Sequence, residues 1–147
     1  MTRTFSLMIA AALFSGTAVP QQSASTPVTA PAMSATVYVI APKDGARVQN
    51  PVTVRFGLKG AGIAPAGVKF DNTGHHHLLV DTDIAELKLD APLAATDKIL
   101  HFGKGQTETE LKLAPGKHTL QLLFADYLHV PISPAVSSKK ITITVVQ

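Results

Sequence analysis

Cysteine and tryptophan are absent from the 147 residues, and the remaining aromatic residues are few, two tyrosines and six phenylalanines. Without cysteine the fold holds no disulfide and no thiolate can ligate a metal, so a blue-copper centre is excluded. The same absence excludes a lipid-anchored export form. Methionine is nearly as scarce: Met1 and Met8 lie at the amino terminus and Met33 in a polar stretch. The folded part therefore has no thioether for a methionine-rich cuprous site. The formal charge is only +3, the basic residues are scattered, and the aromatics are not interleaved with them, which argues against a nucleic-acid partner. The apolar run Leu7 to Phe14 is well short of the ~20 residues that a membrane span needs. No stretch carries a long helical period, and no internal repeat is present.

What the amino terminus does carry is the pattern of an export signal. Arg3 supplies a positive end, Leu7 to Phe14 an apolar core, and Gly16-Thr17-Ala18 a run of small residues for cleavage. Residues 1–18 are expected to be a signal peptide, with cleavage as late as Ala24 the alternative. The mature protein is then periplasmic or secreted, with no membrane span. Loss of Arg3 takes the charge from +3 to +2. Residues 19–35 are rich in Pro, Gln, Ser, Thr and Ala, the composition of a flexible linker. Residues 36–147 remain as one domain.

That domain reads as strands almost throughout. Thr36 to Ile40 is β-branched and aromatic and stops at the turn Pro42-Lys43-Asp44-Gly45. Val52 to Leu58 alternates apolar with polar residues, and a loop from Gly60 to Gly67 leads to Val68-Lys69-Phe70. His75 to Val80, Ile99 to Phe102, Thr107 to Leu113, Lys117 to Ala125 and Lys140 to Val146 complete the set. Residues 82–98 read either as a short helical turn around Ile84, Leu87 and Leu89 or as an irregular edge strand. Short strands separated by turn residues predict an all-β fold, an immunoglobulin-like antiparallel β-sandwich of about seven strands. The turn Gly103-Lys104-Gly105-Gln106 lacks the strand–helix setting of a phosphate cradle and is read as a strand-to-strand turn needing positive φ.

Several motifs point the same way. Thr73-Gly74-His75-His76-His77-Leu78-Leu79-Val80-Asp81 is followed by His101-Phe102-Gly103-Lys104-Gly105-Gln106-Thr107-Glu108, Gly116-Lys117-His118-Thr119-Leu120-Gln121-Leu122 and His129-Val130-Pro131. In this order they resemble an uncharacterised exported bacterial family, domain of unknown function 4399, over about residues 37 to 146. The resemblance implies a sandwich fold and export, and no established activity. The family often ends its last motif His-x-Pro-His; here Ile132 stands in the second histidine's place.

The histidines carry the chemistry. On a strand, side chains alternate between faces, so His75 and His77 share one face and His76 takes the other. Two imidazoles at i and i+2 can hold one metal ion, although a histidine run can also be a polar strand end satisfied by its neighbours. In an immunoglobulin-like sandwich, the loops on either side of these strands gather at one end. His75, His77, His101 and His129, with Asp126, are therefore expected to meet as a metal site; His76 would replace the pair if the register were reversed. His118, on a strand face with Leu120, Leu122 and Phe124 at the opposite end, is read as a satisfied structural residue. Nitrogen and carboxylate donors suit Cu(II) or Zn(II). Ligation needs neutral imidazole, so affinity should fall below about pH 6. The expected role is metal capture or delivery, without catalysis: no base accompanies Ser137-Ser138, nothing poises Glu108 and Glu110, and a copper–zinc dismutase-like sandwich relies on a disulfide. The alternative is a cell-envelope interaction module that binds a protein or glycan through the same loops.

Overall fold

A computed structural model describes residues 34–147. The expected signal peptide, and all but the last two residues of the expected linker, lie outside the described residues. Nine strands follow one another among them: β1 (Thr36–Ala41), β2 (Arg47–Val48), β3 (Val52–Lys59), β4 (Gly62–Ile63), β5 (Thr73–Val80), β6 (Ile99–His101), β7 (Glu108–Leu111), β8 (Gly116–Ala125) and β9 (Ile141–Val145). They form two sheets. The smaller has the order β1-β3-β7; the larger runs β2-β9-β8-β5, with β4 and β6 both pairing with β5. All pairings are antiparallel except two short ones, β2 with β9 and β4 with β5. This division of strands is that of an immunoglobulin-like sandwich. The segment from Ile99, expected as the strand preceding β7, is β6, and it pairs with β5, setting His77 opposite His101.

Alternation along the strands builds the core. Val52, Val54 and Phe56 of β3 are buried while Thr53 and Arg55 are exposed. They meet Leu120, Leu122 and Phe124 of β8, Ile141, Ile143 and Val145 of β9, and Leu78 and Val80 of β5 in one cluster. Each such side chain contributes about 1.5–3 kcal/mol by leaving water, so this inner row holds the sheets together. β5 differs from its neighbours because every residue from Gly74 to Val80 is buried. Its inner row faces the core, and its outer row, His75, His77 and Leu79, is covered as well.

The cover comes from the long connections. Residues 82–98 contain a 3₁₀ turn, Ile84–Glu86, the helical alternative of the two that the sequence allowed. Its start is closed reciprocally: the Asp83 carboxylate accepts from the Ala85 N–H, and the Asp83 N–H donates to the Glu86 carboxylate. Further on, Leu93 is buried and its N–H donates to the His129 carbonyl. Beyond β8, the chain turns back and bonds the outer half of that strand, with the Phe124 N–H donating to the Val136 carbonyl and the Ser138 N–H to the Leu122 carbonyl.

Candidate metal centre

The site begins with a close approach of two backbones. A Cβ at Gly74 would lie 2.3 Å from the Ala125 carbonyl oxygen and 2.9 Å from the Phe124 ring. Only glycine lets β5 lie against β8 here, and the pairing sets His75 beside Ala125 and His77 beside Leu123. The pleat then sends His75 and His77 to the outer face, where both are fully buried. Their Nε2 atoms are 3.3 Å apart.

Two further imidazoles close on this pair. His101, at the end of β6, stands opposite His77 and is exposed on its outer side. Its ring centroid is 5.0 Å from that of His75 and 5.1 Å from that of His77. His129 arrives on the turn after β8, with its ring 4.7 Å from His101, 5.2 Å from His75 and 6.2 Å from His77. Asp126 builds that turn: one carboxylate oxygen accepts from the Leu128 and Val130 N–H groups, and its carbonyl accepts from the His129 N–H. The turn holds His129 at φ 69°, in the left-handed region that favours glycine.

Gly103 makes room for His101. A Cβ there would lie 2.2 Å from His101 Cε1 and 2.3 Å from its Nε2. The positive φ expected of this turn is found at Gly105 (φ 82°). The loop before Val68 fits around the same end, its Ala66 N–H donating to the Gly103 carbonyl and its Gly67 N–H to the Tyr127 carbonyl. On these loops Val68, Phe70 and Leu128 are exposed.

The electrostatics favour uncharged rings. Burial, with the neighbouring imidazoles of His101 and His129 adding to it, pushes His75 down to about 4, and nearby Asp126 only partly opposes this. His77 is pushed down to about 3 by burial and then by His75, His101 and His129. His101 is lowered too, by burial and by His129. Neutral imidazole is the form that ligates a metal. Donor nitrogens of His75, His77 and His101 all lie within 4.8 Å of one another. Tetrahedral ligand atoms at zinc stand about 3.3 Å apart, so closing on one ion requires movements of roughly 1.5 Å or less. Nδ1 of His75 and of His77 is buried without a hydrogen-bond partner.

The other two histidines do not join the cluster. His76 points inward between Phe56 and Phe124, at ring distances of 5.3 and 5.5 Å, and neither of its nitrogens has a partner. The register is thus the one that makes His75 and His77 the pair. His118 is satisfied at the far end of the sheet, with Nδ1 2.7 Å from Asp81 Oδ2 and Nε2 2.8 Å from the Ala114 carbonyl. Both partners accept, so the imidazolium form satisfies both, and Asp81 holds its pKa above the usual value.

Residues 54–146 match the family described as "Domain of unknown function (DUF4399)". The chain belongs to DUF4399. The match begins within β3 and runs past the end of β9, so it takes in every histidine of this DUF4399 chain. No curated protein and no solved structure matches it.

Proposed function

We propose that this DUF4399 protein is an exported module that binds one Cu(II) or Zn(II) ion through His75, His77 and His101, for capture or delivery of the metal in the periplasm or outside the cell. The observation that carries the reading is the fully buried pair His75 and His77 with a third imidazole opposite them. An unpaired buried polar group costs roughly 1–3 kcal/mol, and the Nδ1 atoms of both residues are in that position. A sandwich that needed only stability would hold apolar residues there, as it does at Leu79 on the same face. Burial keeps these imidazoles neutral well below pH 6, so proton competition at the two inner ligands begins lower than it would for exposed histidines. Export rests on the amino-terminal pattern of Arg3 and Leu7 to Phe14; among the described residues, no helix is long and apolar enough to cross a membrane.

Calorimetry on untagged, chelator-treated protein at pH 7.5 tests this. About one divalent ion should bind per chain, and His77→Ala with His101→Ala should abolish binding. Uptake no tighter than that of exposed surface histidines would end the reading. A second reading, an envelope interaction module using the same loops, is favoured by the exposure of Val68, Phe70 and Leu128 beside the site. It predicts partner binding that persists unchanged in chelator.

A further inference from the structure

We propose that the cluster is a tetrahedral site for Zn(II) in which His129 supplies the fourth nitrogen. The proposal rests on the metal-binding reading above and goes beyond it in naming the ion, the geometry and the closing ligand. Three observations support it.

The first is the shape of the cluster. Ring separations are 5.1 Å for His75–His77, 5.0 Å for His75–His101, 5.2 Å for His75–His129, 5.1 Å for His77–His101, 6.2 Å for His77–His129 and 4.7 Å for His101–His129. Four points at the corners of a square would show two opposite pairs longer than the rest by about 40%, the tetragonal pattern that suits Cu(II). Here the long His77–His129 distance is matched by a short His75–His101 one across from it, so the four ring centres stand at the corners of a tetrahedron. The donor nitrogens within 4.8 Å of one another are those of His75, His77 and His101, and the His129 nitrogen has further to move to join them. The second is the Nε2–Nε2 separation of 3.3 Å between His75 and His77, a hydrogen-bond contact in the metal-free rings that already matches a ligand spacing. With bonds of about 2.0–2.1 Å, neighbouring ligand atoms lie about 3.3 Å apart around a tetrahedral ion and about 2.9 Å apart around a square-planar one.

The third is the backbone of His129. A left-handed conformation is unfavourable by about 1–2 kcal/mol for a residue with a Cβ. The turn would be easier to form with glycine, yet it presents an imidazole to three others. Histidine takes this conformation more readily than most side chains, but less readily than glycine, so an imidazole here points to a side chain that serves a purpose. Asp126 then acts by position: its carboxylate fixes the Leu128 and Val130 amides on either side of His129.

Co(II), which reports its geometry by absorption, is the direct probe. Added to chelator-treated protein at pH 7.5, it should give the intense visible bands of four-coordinate cobalt and be displaced by one equivalent of Zn(II). His129→Gly should leave the metal-free protein folded, since glycine suits the turn, and should weaken zinc binding by at least the roughly 10–100-fold that even an outer-shell partner is worth. A faint six-coordinate cobalt spectrum, or wild-type zinc affinity in His129→Gly, would overturn the tetrahedral assignment while leaving a metal site in place. Uptake of neither Co(II), Zn(II) nor Cu(II) would overturn both it and the reading on which it rests.

Discussion

Acid should unfold the metal-free protein steeply, and the slope follows from three buried rings. His75, His76 and His77 are fully buried or nearly so, and burial pushes them down to about 4, about 4 and about 3 respectively. In the unfolded chain each titrates near 6.5. A group whose folded pKa is depressed contributes its stability above the unfolded value and loses it as pH falls toward the folded one. The window is therefore about pH 6.5 to 4. Within it the unfolded state takes up as many as three protons that the folded state refuses, worth about 1.4 kcal/mol per proton per pH unit, or about 4 kcal/mol per unit in all. Integrated from pH 6.5 to 4.5, the loss is about 7 kcal/mol, comparable with the whole stability of an ordinary domain. His118 acts in the opposite sense: its raised pKa gives stability that is complete below 6.5 and lost only as pH rises, so it adds no slope in this window. Urea unfolding of chelator-treated protein in steps from pH 7 to 4.5 measures the effect directly. A dependence of one proton or fewer would refute the reasoning, because it would mean that these imidazoles are charged or hydrated in the folded state.

Two substitutions extend the test. His76→Leu removes two unpartnered ring nitrogens from between Phe56 and Phe124; it should stabilise the protein by about 1–3 kcal/mol at pH 7 and reduce the acid slope by about a third. Destabilisation on a urea titration would show that the ring has a partner in solution. Gly103→Ala places a methyl group 2.2 Å from the His101 ring, against the ~3.5 Å at which carbon atoms rest, so the ring must move by more than an ångström. Metal affinity measured by calorimetry should fall by roughly tenfold or more, since ligand positions tolerate only about 0.2 Å, while the unfolding midpoint without metal changes little. Unchanged affinity would remove His101 from the ligands.

Much of this was legible from the order of residues because strand alternation is a local rule. Val52 to Leu58 and Lys117 to Ala125 show their inner rows directly, and the placing of His75 with His77 required only the period of two. The meeting of His101 and His129 followed from the ends at which strands of such a sandwich turn. The strand from Ile99 was expected, but its neighbour was not legible, because three residues carry too little pattern to choose between two sheet edges. Short β2 and β4 were missed for the same reason. The positive φ of the glycine turn was legible and falls at Gly105, whereas the part of Gly103 in leaving space is visible only once the His101 ring is in place. The left-handed turn at His129 left only a weak signal: histidine takes positive φ more readily than most residues, but far less often than glycine, so its identity alone does not mark the position.

The outer position of the cluster has an evolutionary consequence. The two sheets close on each other through the inner rows, whereas the four imidazoles sit on the far side of β5, roofed by connections that bond to one another at Leu93 and His129. On the proposed metal-binding reading, lengthening or resculpting those connections would alter the ion preference and the ease of exchange without disturbing the residues that make the body fold. A lineage could thus retune what this histidine cluster binds by loop variation alone.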